Sequence, residues 1–477
     1  MTYGLSGVIS QVVSILLLPI YTRKIDPEGY GALAMLTLFS TFFQIFAQMG
    51  MSHTVFRFYY NKALNHKQVS GNALIFITIS TLILTLLCVL FTPALVSLLL
   101  AKSIPHARGI FFLSLLIAAT SPFTQIFTNI LKLKRQVKIV SAISVGQLLV
   151  TVGITIFLVI QLDMGVVGVL LGQLIGQVLA LIVTMSYTYS EVSVELNRPL
   201  MQEMIRYGTP MVPNFIMGSL TTMLGQYVVK TKYSLAETGL YSVGSKLTMP
   251  ISLVLQSLKK SFQVISFQVH AEDNNSESFL QASFAFYMLI FIYVWFLISI
   301  WASEILKIMT APAFYAALPY VAPLAFISLT EAIYVFIGQG VAVGKQTWPF
   351  AIASMSGLGV LLIAIWAFLP IWGALGVVYA TILGRIVMVV VIYPFATRVI
   401  KVNYNFLLFF SQLGLGILVV YLSKYVPDLL WLGIAIKLAG CALYAVATIA
   451  LFTLFPIERQ WLLVGVNKLR SRLKKTG

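Results

Sequence analysis

Charged residues are scarce in this sequence, where Asp, Glu, Lys and Arg make up 9% of 477 residues. Soluble globular domains carry about 25%. Cysteine is almost absent, and its two copies, Cys88 and Cys441, lie in apolar stretches, so we predict neither a disulfide nor a metal site. No metalloprotease, P-loop or nucleophile-elbow motif occurs in a usable context. These scarcities exclude the soluble classes and an ATP-driven pump, and they predict no cofactor.

Long apolar runs occupy most of the chain, of which 59% is hydrophobic. A membrane-spanning helix needs about 20 apolar residues. The runs are too long for strands and lack the two-residue alternation of a barrel, so we predict an all-α polytopic membrane protein. We expect the first run to be a retained helix and not a removed signal peptide. We predict fourteen transmembrane helices, at 1–21, 30–51, 70–100, 109–130, 139–161, 164–189, 208–229, 239–267, 280–309, 318–340, 349–369, 373–395, 406–421 and 429–455.

The 31 Lys and Arg residues indicate the orientation of these helices. Twenty follow even-numbered spans or lie in the C-terminal tail, eight lie in the opposite loops, and three lie inside spans. Because basic loops stay in the cytoplasm, we predict that both termini are cytoplasmic. The net charge of +17 therefore reflects topology, and we predict no nucleic-acid partner. The basic tail at 458–477 is expected to lie on anionic membrane lipid.

An internal repeat organises the chain. Residues 165–169 recur as 373–377, an offset of 208, and the same offset relates Gly31 to Gly239. An offset of six helices keeps the topology parallel, so we predict two bundles related by a pseudo-twofold axis along the membrane normal. The predicted domains are a six-helix lobe at 1–200, a second at 201–400, helices thirteen and fourteen at 401–457, and the tail at 458–477.

Ionisable side chains inside membrane spans are costly and usually face an aqueous cavity, so we treat each as a candidate functional residue. Arg385 lies roughly 18 Å along its helix from Gly373 at about 1.5 Å per residue. Lys246 lies nearer the predicted outer side and could instead snorkel to the interface. Glu331 is the one acidic residue near mid-membrane. Glu331 is interpreted either as a carrier of a coupling proton or as a static partner for Arg385 or Lys246.

Arg57 lies among aromatic residues at the predicted inner face, where a cation could receive an anionic head group. Aromatic enrichment at membrane interfaces is an equally ordinary reading of this segment. The four histidines lie in loops or at helix ends, and we expect them to be solvated side chains. Lys437 is interpreted as an interfacial anchor.

Several loose motifs, in a fairly specific order, resemble a known family over essentially the whole chain. They are Tyr3–Gly7, Tyr21–Lys24, Pro27–Gly31, Phe56–Tyr59, Thr238–Lys246 and Gly373–Val377. The sequence resembles Wzx-type polysaccharide and O-antigen flippases, in the polysaccharide transporter family of the multidrug/oligosaccharidyl-lipid/polysaccharide (MOP) superfamily. Gly225-Gln226 stands where many members carry an Asp-Arg pair, so no role of that pair is carried over.

The resemblance implies a bacterial-type inner-membrane protein that flips undecaprenyl-diphosphate-linked oligosaccharide outward by alternating access, coupled to H⁺ or Na⁺. It implies that Lys246 and Arg385 meet the diphosphate and sugar, with Arg57 at the entrance. Polysaccharide-assembly proteins are the implied protein partners. Two alternatives share the superfamily: a flippase for lipid II, the peptidoglycan precursor, and a multidrug or cation antiporter. A membrane-embedded glycan polymerase or ligase is disfavoured, because the predicted outer loops are short.

Overall fold

The structure is a computed structural model that describes residues 11–61, 64–193, 195–271, 276–344, 348–425 and 430–456. Within these ranges every regular element is helical, and we label nineteen α-helices α1 to α19 in chain order. The first nine are α1 (Leu18–Lys24), α2 (Pro27–Gln48), α3 (Met51–Phe58), α4 (His66–Leu90), α5 (Thr92–Leu99), α6 (Ala107–Leu133), α7 (Val137–Ile156), α8 (Gly165–Thr188) and α9 (Arg198–Gly208). The next five are α10 (Val212–Lys232), α11 (Leu235–Leu247), α12 (Met249–Ala271), α13 (Ser276–Ile300) and α14 (Ala302–Met309). The last five are α15 (Leu318–Val343), α16 (Trp348–Trp372), α17 (Ala374–Val399), α18 (Phe406–Leu422) and α19 (Leu430–Thr453).

Ten helices in the described part are long and apolar enough to cross a membrane, and α18 is a shorter apolar helix. The prediction of an all-α multi-pass membrane protein is confirmed. Ten is fewer than the fourteen predicted spans for three reasons. Some predicted spans are too polar or too short to be counted, some lie partly outside the described residues, and some are broken into shorter helices.

The longest predicted spans are broken helices. The runs at 70–100, 239–267 and 280–309 each form two helices, with breaks near Phe91, Thr248 and Trp301. Prolines explain the first two breaks, because Pro93 and Pro250 each occupy the first turn of the following helix. Proline has no N–H to continue the preceding helix, and its ring disfavours helical backbone in the residue before it. Hydropathy averages over such a break, so the sequence predicted one helix in place of two.

The chain forms two compact units. The first ends at Val243 and also includes Ile308–Ala316, whereas the second consists of Gly244–Lys307 and the chain from Ala317 onward. Helix α10 and most of α11 therefore belong to the first compact unit. The six-helix lobes at 1–200 and 201–400, which the internal repeat predicts, have different bounds from these units and stay a prediction.

The internal repeat has a counterpart in packing within each unit. In the first unit α6 and α7 pack on α8, and in the second α15 and α16 pack on α17. Glycines bring the helices close enough that an added Cβ would collide with the neighbouring helix. The contacts are Gly172 with Thr155, Gly176 with Thr151, Gly376 with Phe368 and Gly384 with Gly357. Small residues of this kind let membrane helices pack closely.

The glycines that the repeat pairs, Gly31 and Gly239, contact each other inside the first unit. A Cβ on Gly31 would overlap the carbonyl of Leu235, and a Cβ on Gly239 would overlap the carbonyl of Pro27. The same offset of 208 relates Pro27 to Leu235. The first turns of α2 and α11 therefore cross through two equivalent contacts that leave no room for side chains. We call this contact the glycine crossing.

The N-termini of these two helices are capped in the same way. The carboxylate of Asp26 accepts a hydrogen bond from the N–H of Gly29. The hydroxyl of Ser234, which is 208 residues later, accepts one from the N–H of Glu237. Asp and Ser are preferred N-caps because their oxygens satisfy N–H groups that lack a partner in the helix. The caps fix where each helix begins and so hold the glycine crossing in register.

The segment Ile308–Ala316 completes the first unit from far along the chain. The N–H of Ala311 donates a hydrogen bond to the hydroxyl of Thr22 at 3.3 Å. The rings of Phe314 and Tyr30 meet edge to face, with centroids 5.7 Å apart. Tyr30 and Phe314 are both buried, so this contact belongs to the core of the unit.

Candidate functional site

Arg385 lies in the interior of α17, an apolar helix that is long enough to span a membrane. Its side chain is partly buried, and among the described residues its buried Nε has no hydrogen-bond partner. Among the described residues of the second unit no carboxylate lies within ion-pairing distance of Arg385. Tyr334 of α15 lies close enough to Arg385, and to Ser354 of α16, for a polar interaction with each. The guanidinium therefore lies where polar groups of α15, α16 and α17 meet. No acid among the described residues there neutralises its charge.

The equivalent position in the first unit is Gln177, 208 residues earlier, and its contacts make a different junction. The side chain of Gln147 donates a hydrogen bond to Gln177 at 2.8 Å, and Gln177 donates one to Thr124 at 3.1 Å. Three helices, α6, α7 and α8, are thus joined by neutral amide and hydroxyl groups. In the first unit, a neutral residue at this position of the repeat is therefore sufficient to join the three helices. The charge of Arg385 is therefore more than the packing requires.

Glu331 lies on α15, three residues before Tyr334. Residues three apart on a helix share a face, so Glu331 lies one turn from the residue that meets Arg385. No ion pair between Glu331 and Arg385 is present in the described second unit. Glu331 and Arg385 lie on helices that pack together, α15 and α17. In the described second unit no ion pair between them supports the static-partner interpretation of Glu331.

Lys246 lies in the last turn of α11, next to the break at Thr248. The sequence prediction placed it inside one continuous span, and the structure places it at the end of a helix instead. Backbone carbonyls at a helix C-terminus favour a nearby cation. Lys246 and Arg385 are both in the second unit, on α11 and α17.

Lys437 has an acid partner. Its Nζ contacts the Glu304 carboxylate at 2.5 Å, and it lies 5.8 Å from the centroid of the Trp301 ring. A paired lysine has little net charge to offer an anionic ligand. Lys437 is thus a structural residue that joins α19 to α14.

Arg57 is exposed on α3 in the first unit, with its guanidinium carbon 4.4 Å from the centroid of the Tyr207 ring. The helix begins after Met49 and Gly50, which both have left-handed backbone, with φ of 42° and 81°. At Gly50 a Cβ would overlap the Gly208 carbonyl of α9. A cation over an aromatic face is attracted to the ring, and Arg57 makes no ion pair with a described residue, so its guanidinium is available to an anion.

A polar cavity lies at the start of α3 in the first unit, with a volume of about 370 Å³. It is lined by Thr41, Gln44, Ile45, Gln48, Gly50, Ser52, His53, Gln125, Phe215 and Ser219. His53 precedes Arg57 by four residues, so the two lie on the same face of α3 about 6 Å apart along its axis. The ring of His53 stacks on Phe215 of α10, with centroids 4.9 Å apart. The sequence alone did not identify this cavity.

A signal for the cavity was present in the sequence. Gln44 and Gln48 are four residues apart in an otherwise apolar span, and polar side chains at helical spacing inside a membrane point to an interior face. Gln125 and Ser219 come from distant helices, so only the fold brings them to this wall. His53 was interpreted as a solvated residue at a helix end; it is exposed near the start of α3, and it also lines the cavity.

Comparisons with known proteins agree with this fold. A model of the family described as polysaccharide biosynthesis protein matches residues 1–261, more than half of the chain. The structure is similar to lipid II flippase MurJ in an inward closed conformation, with a TM-score of 0.77 at 14% identity over 94% of this chain and 98% of that one. A sequence comparison with functionally characterised proteins gives no significant match.

Two transporters of a second kind share the fold. An inward-facing multidrug resistance MATE family transporter of the MOP superfamily has a TM-score of 0.68 at 15% identity, covering 82% of this chain and 94% of that one. The Vibrio cholerae MATE transporter VcmN in the bent form has a TM-score of 0.57 at 12% identity, covering 83% and 94%. At these identities the likeness establishes the fold alone. The chain belongs to the polysaccharide biosynthesis protein family.

Proposed function

We propose that this protein is a Wzx-type flippase that moves polyprenyl-diphosphate-linked oligosaccharide, a surface-polysaccharide or O-antigen repeat unit, across a bacterial-type inner membrane by alternating access. Arg385 and Lys246 are assigned to the diphosphate and Arg57 to its entry. Both termini are assigned to the cytoplasm from the distribution of basic residues.

Arg385 carries the proposal. It is a cation inside a membrane helix with a buried Nε that lacks a partner and no acid within ion-pairing distance in the described second unit. Such a charge is costly unless a ligand or water compensates for it. A diphosphate supplies that compensation, because opposite charges attract more strongly in a low-dielectric cavity than in bulk water. A cationic substrate would be repelled, which disfavours an exporter of cationic drugs.

The proposal is tested by asking which leaflet holds the lipid-linked oligosaccharide. In spheroplasts of a bacterium that depends on this protein, newly made lipid-linked oligosaccharide is labelled with a membrane-impermeant reagent that oxidises glycans. We expect accessible oligosaccharide when the protein is present, and undiminished synthesis with loss of accessibility when it is removed. Accessibility that does not change on removal would contradict a flippase function.

A lipid II flippase is a second candidate, favoured by one observation. The fold is shared with lipid II flippase MurJ over 94% of this chain. The same spheroplasts separate the two candidates, because accessibility of lipid II can be followed alongside that of the polysaccharide intermediate. Loss of lipid II accessibility with cell lysis, and unchanged polysaccharide intermediate, would favour this second function.

Replacement of Glu331 by Gln is expected to uncouple transport from an ion gradient. The amide keeps the size of the side chain and cannot release or bind a coupling proton, or provide a carboxylate for Na⁺. Uptake into vesicles is measured with and without imposed H⁺ and Na⁺ gradients. We expect the wild type to respond to one gradient and the variant to neither.

The matched control is Glu203→Gln, which removes an exposed carboxylate from α9 in the first unit. It is expected to respond to the gradient as the wild type does. If Glu331→Gln keeps the wild-type response, Glu331 has a structural role.

A further inference from the structure

The polar cavity of the first unit is chemically unlike the cationic positions assigned above. Among the described residues that line it, three carry side-chain amides, three carry hydroxyls, and none is Lys, Arg, Asp or Glu. Its volume of about 370 Å³ is within the range of about 300–1,000 Å³ usual for small-ligand sites. Amides and hydroxyls both donate and accept hydrogen bonds. The cavity therefore suits a compact ligand that is polar and uncharged.

The amides have hydrogen-bonding capacity to spare. Within the described part of the chain, the side chains of Gln44, Gln125 and Ser219 make no hydrogen bond to protein. Only Gln48 is engaged, by the hydroxyl of Ser52. All of them are partly buried and line the cavity. A ligand with several hydroxyl groups can form hydrogen bonds with these amides.

One side of the cavity is aromatic. The rings of His53 and Phe215 are stacked, with 23° between their planes. The face of an aromatic ring carries partial negative charge, and it attracts the weakly positive C–H groups of a ligand. A sugar ring presents C–H groups on its faces and hydroxyl groups around its edge. The two parts of the lining correspond to these two parts of a sugar.

We propose that the cavity binds one uncharged sugar residue of the lipid-linked substrate, a hexose or an N-acetylhexosamine. This proposal rests on the proposed flippase function and adds the class of sugar to it. Arg57 lies one turn beyond His53, so a phosphate bound by Arg57 lies beside a sugar bound in the cavity. At entry, the substrate is therefore held by the charge of Arg57 at a phosphate and by neutral hydrogen bonds at its sugar, before the diphosphate reaches Arg385 and Lys246. A uronic acid is disfavoured, because the described lining contains no Lys or Arg to compensate for its carboxylate.

The experiment measures binding of four probes to the purified full-length protein in detergent micelles. The probes are a short-chain polyprenyl diphosphate without sugar, and the same lipid with one hexose, one N-acetylhexosamine or one hexuronic acid. We expect at least one neutral-sugar probe to bind about tenfold more tightly than the sugar-free lipid, the size of one or two well-made hydrogen bonds. The hexuronic-acid probe is expected to bind no more tightly than the sugar-free lipid.

The variants Gln44→Leu and Gln125→Leu locate that preference. Leucine is similar in size to glutamine and removes the amide, and in a membrane helix it favours insertion. Each variant is expected to lose the neutral-sugar preference and to bind the sugar-free lipid as the wild type does, which also reports correct folding. Gln202→Leu removes an amide from α9 outside the cavity lining and is expected to keep the preference.

The possible outcomes distinguish failure of the sugar-site proposal from failure of the proposed flippase function. Wild-type protein that binds the sugar-free and neutral-sugar lipids equally would overturn the sugar site and leave the flippase function standing. A preference that survives in both Gln44→Leu and Gln125→Leu would overturn the assignment to this cavity. Binding of none of the four lipids would contradict the proposed function itself.

Discussion

Replacing Arg385 by Gln is expected to reduce translocation by about a hundredfold while the amount of folded protein stays the same. Loss of one partner of a buried charge contact costs about 2–5 kcal/mol, and a hundredfold is about 2.8 kcal/mol. Gln is chosen because it is the residue at the equivalent position of the repeat. There Gln177 joins three helices through hydrogen bonds to Gln147 and Thr124. The substitution thus removes the charge and leaves a residue that the architecture already accommodates. Translocation is measured by the accessibility of lipid-linked oligosaccharide in spheroplasts.

Two controls isolate the charge. Arg398→Gln removes a cation from the last turn of the same helix, where the guanidinium carbon lies 5.7 Å from the centroid of the Phe395 ring, and it is expected to be near wild type. Arg385→Lys keeps a charge but loses the planar fork that binds phosphate through two hydrogen bonds, so intermediate activity is expected. Full activity of Arg385→Gln would remove Arg385 from the substrate site.

Substitution at the glycine crossing is expected to have the largest effect on stability. A Cβ at Gly31 or Gly239 overlaps a backbone carbonyl of the opposite helix, which cannot rotate away as a side chain would. Overpacking of a core costs about 1–3 kcal/mol and occasionally more, and we place Gly31→Ala and Gly239→Ala at the upper end. Thermal unfolding in detergent and the monodisperse fraction after purification are the measurements.

The contact between the two glycines also predicts how the losses of stability caused by Gly31→Ala and Gly239→Ala combine. Once one substitution separates α2 from α11, the second meets less resistance, so the double variant should lose less stability than the sum of the single variants. Gly146→Ala is the matched control, because it lies within α7 with nothing within 4 Å of the added Cβ. We expect it to be neutral or stabilising, since alanine is the better helix former. Single variants at the crossing that unfold like Gly146→Ala would contradict the close contact.

Hydropathy and charge were sufficient to predict the class of fold, because a membrane leaves helices as the remaining solution for long apolar segments. The repeat was also visible from the sequence, through pairs such as Gly31 and Gly239. A repeat establishes that two residues are equivalent, and it says nothing about whether they touch. The glycine crossing therefore required the structure, as did the break at Thr248, which hydropathy smoothed into one span.

The candidate site was likewise only partly predictable from the sequence. Arg385 and Glu331 were found from sequence because ionisable residues are rare in apolar spans. Their relative placement through Tyr334 depends on the packing of α15 against α17, which no local pattern specifies. The polar cavity was missed because its amides are neutral and are divided between α2 and α6, so the pair on α2 was a weaker signal than a charge would have been. Charge is conspicuous in a membrane sequence and neutral polarity is not.

The contribution of Ile308–Ala316 to the first unit has a consequence for biosynthesis. Thr22 and Ala311 are 289 residues apart, and at about 5–20 residues per second the ribosome needs roughly 15–60 s to make the intervening chain. During that interval Tyr30 lacks the Phe314 ring that packs against it in the finished unit. The first unit therefore remains incomplete until the chain has been made as far as Ala316. A nascent chain arrested before Ile308 should be a better target for membrane quality-control proteases than one arrested just after Ala316.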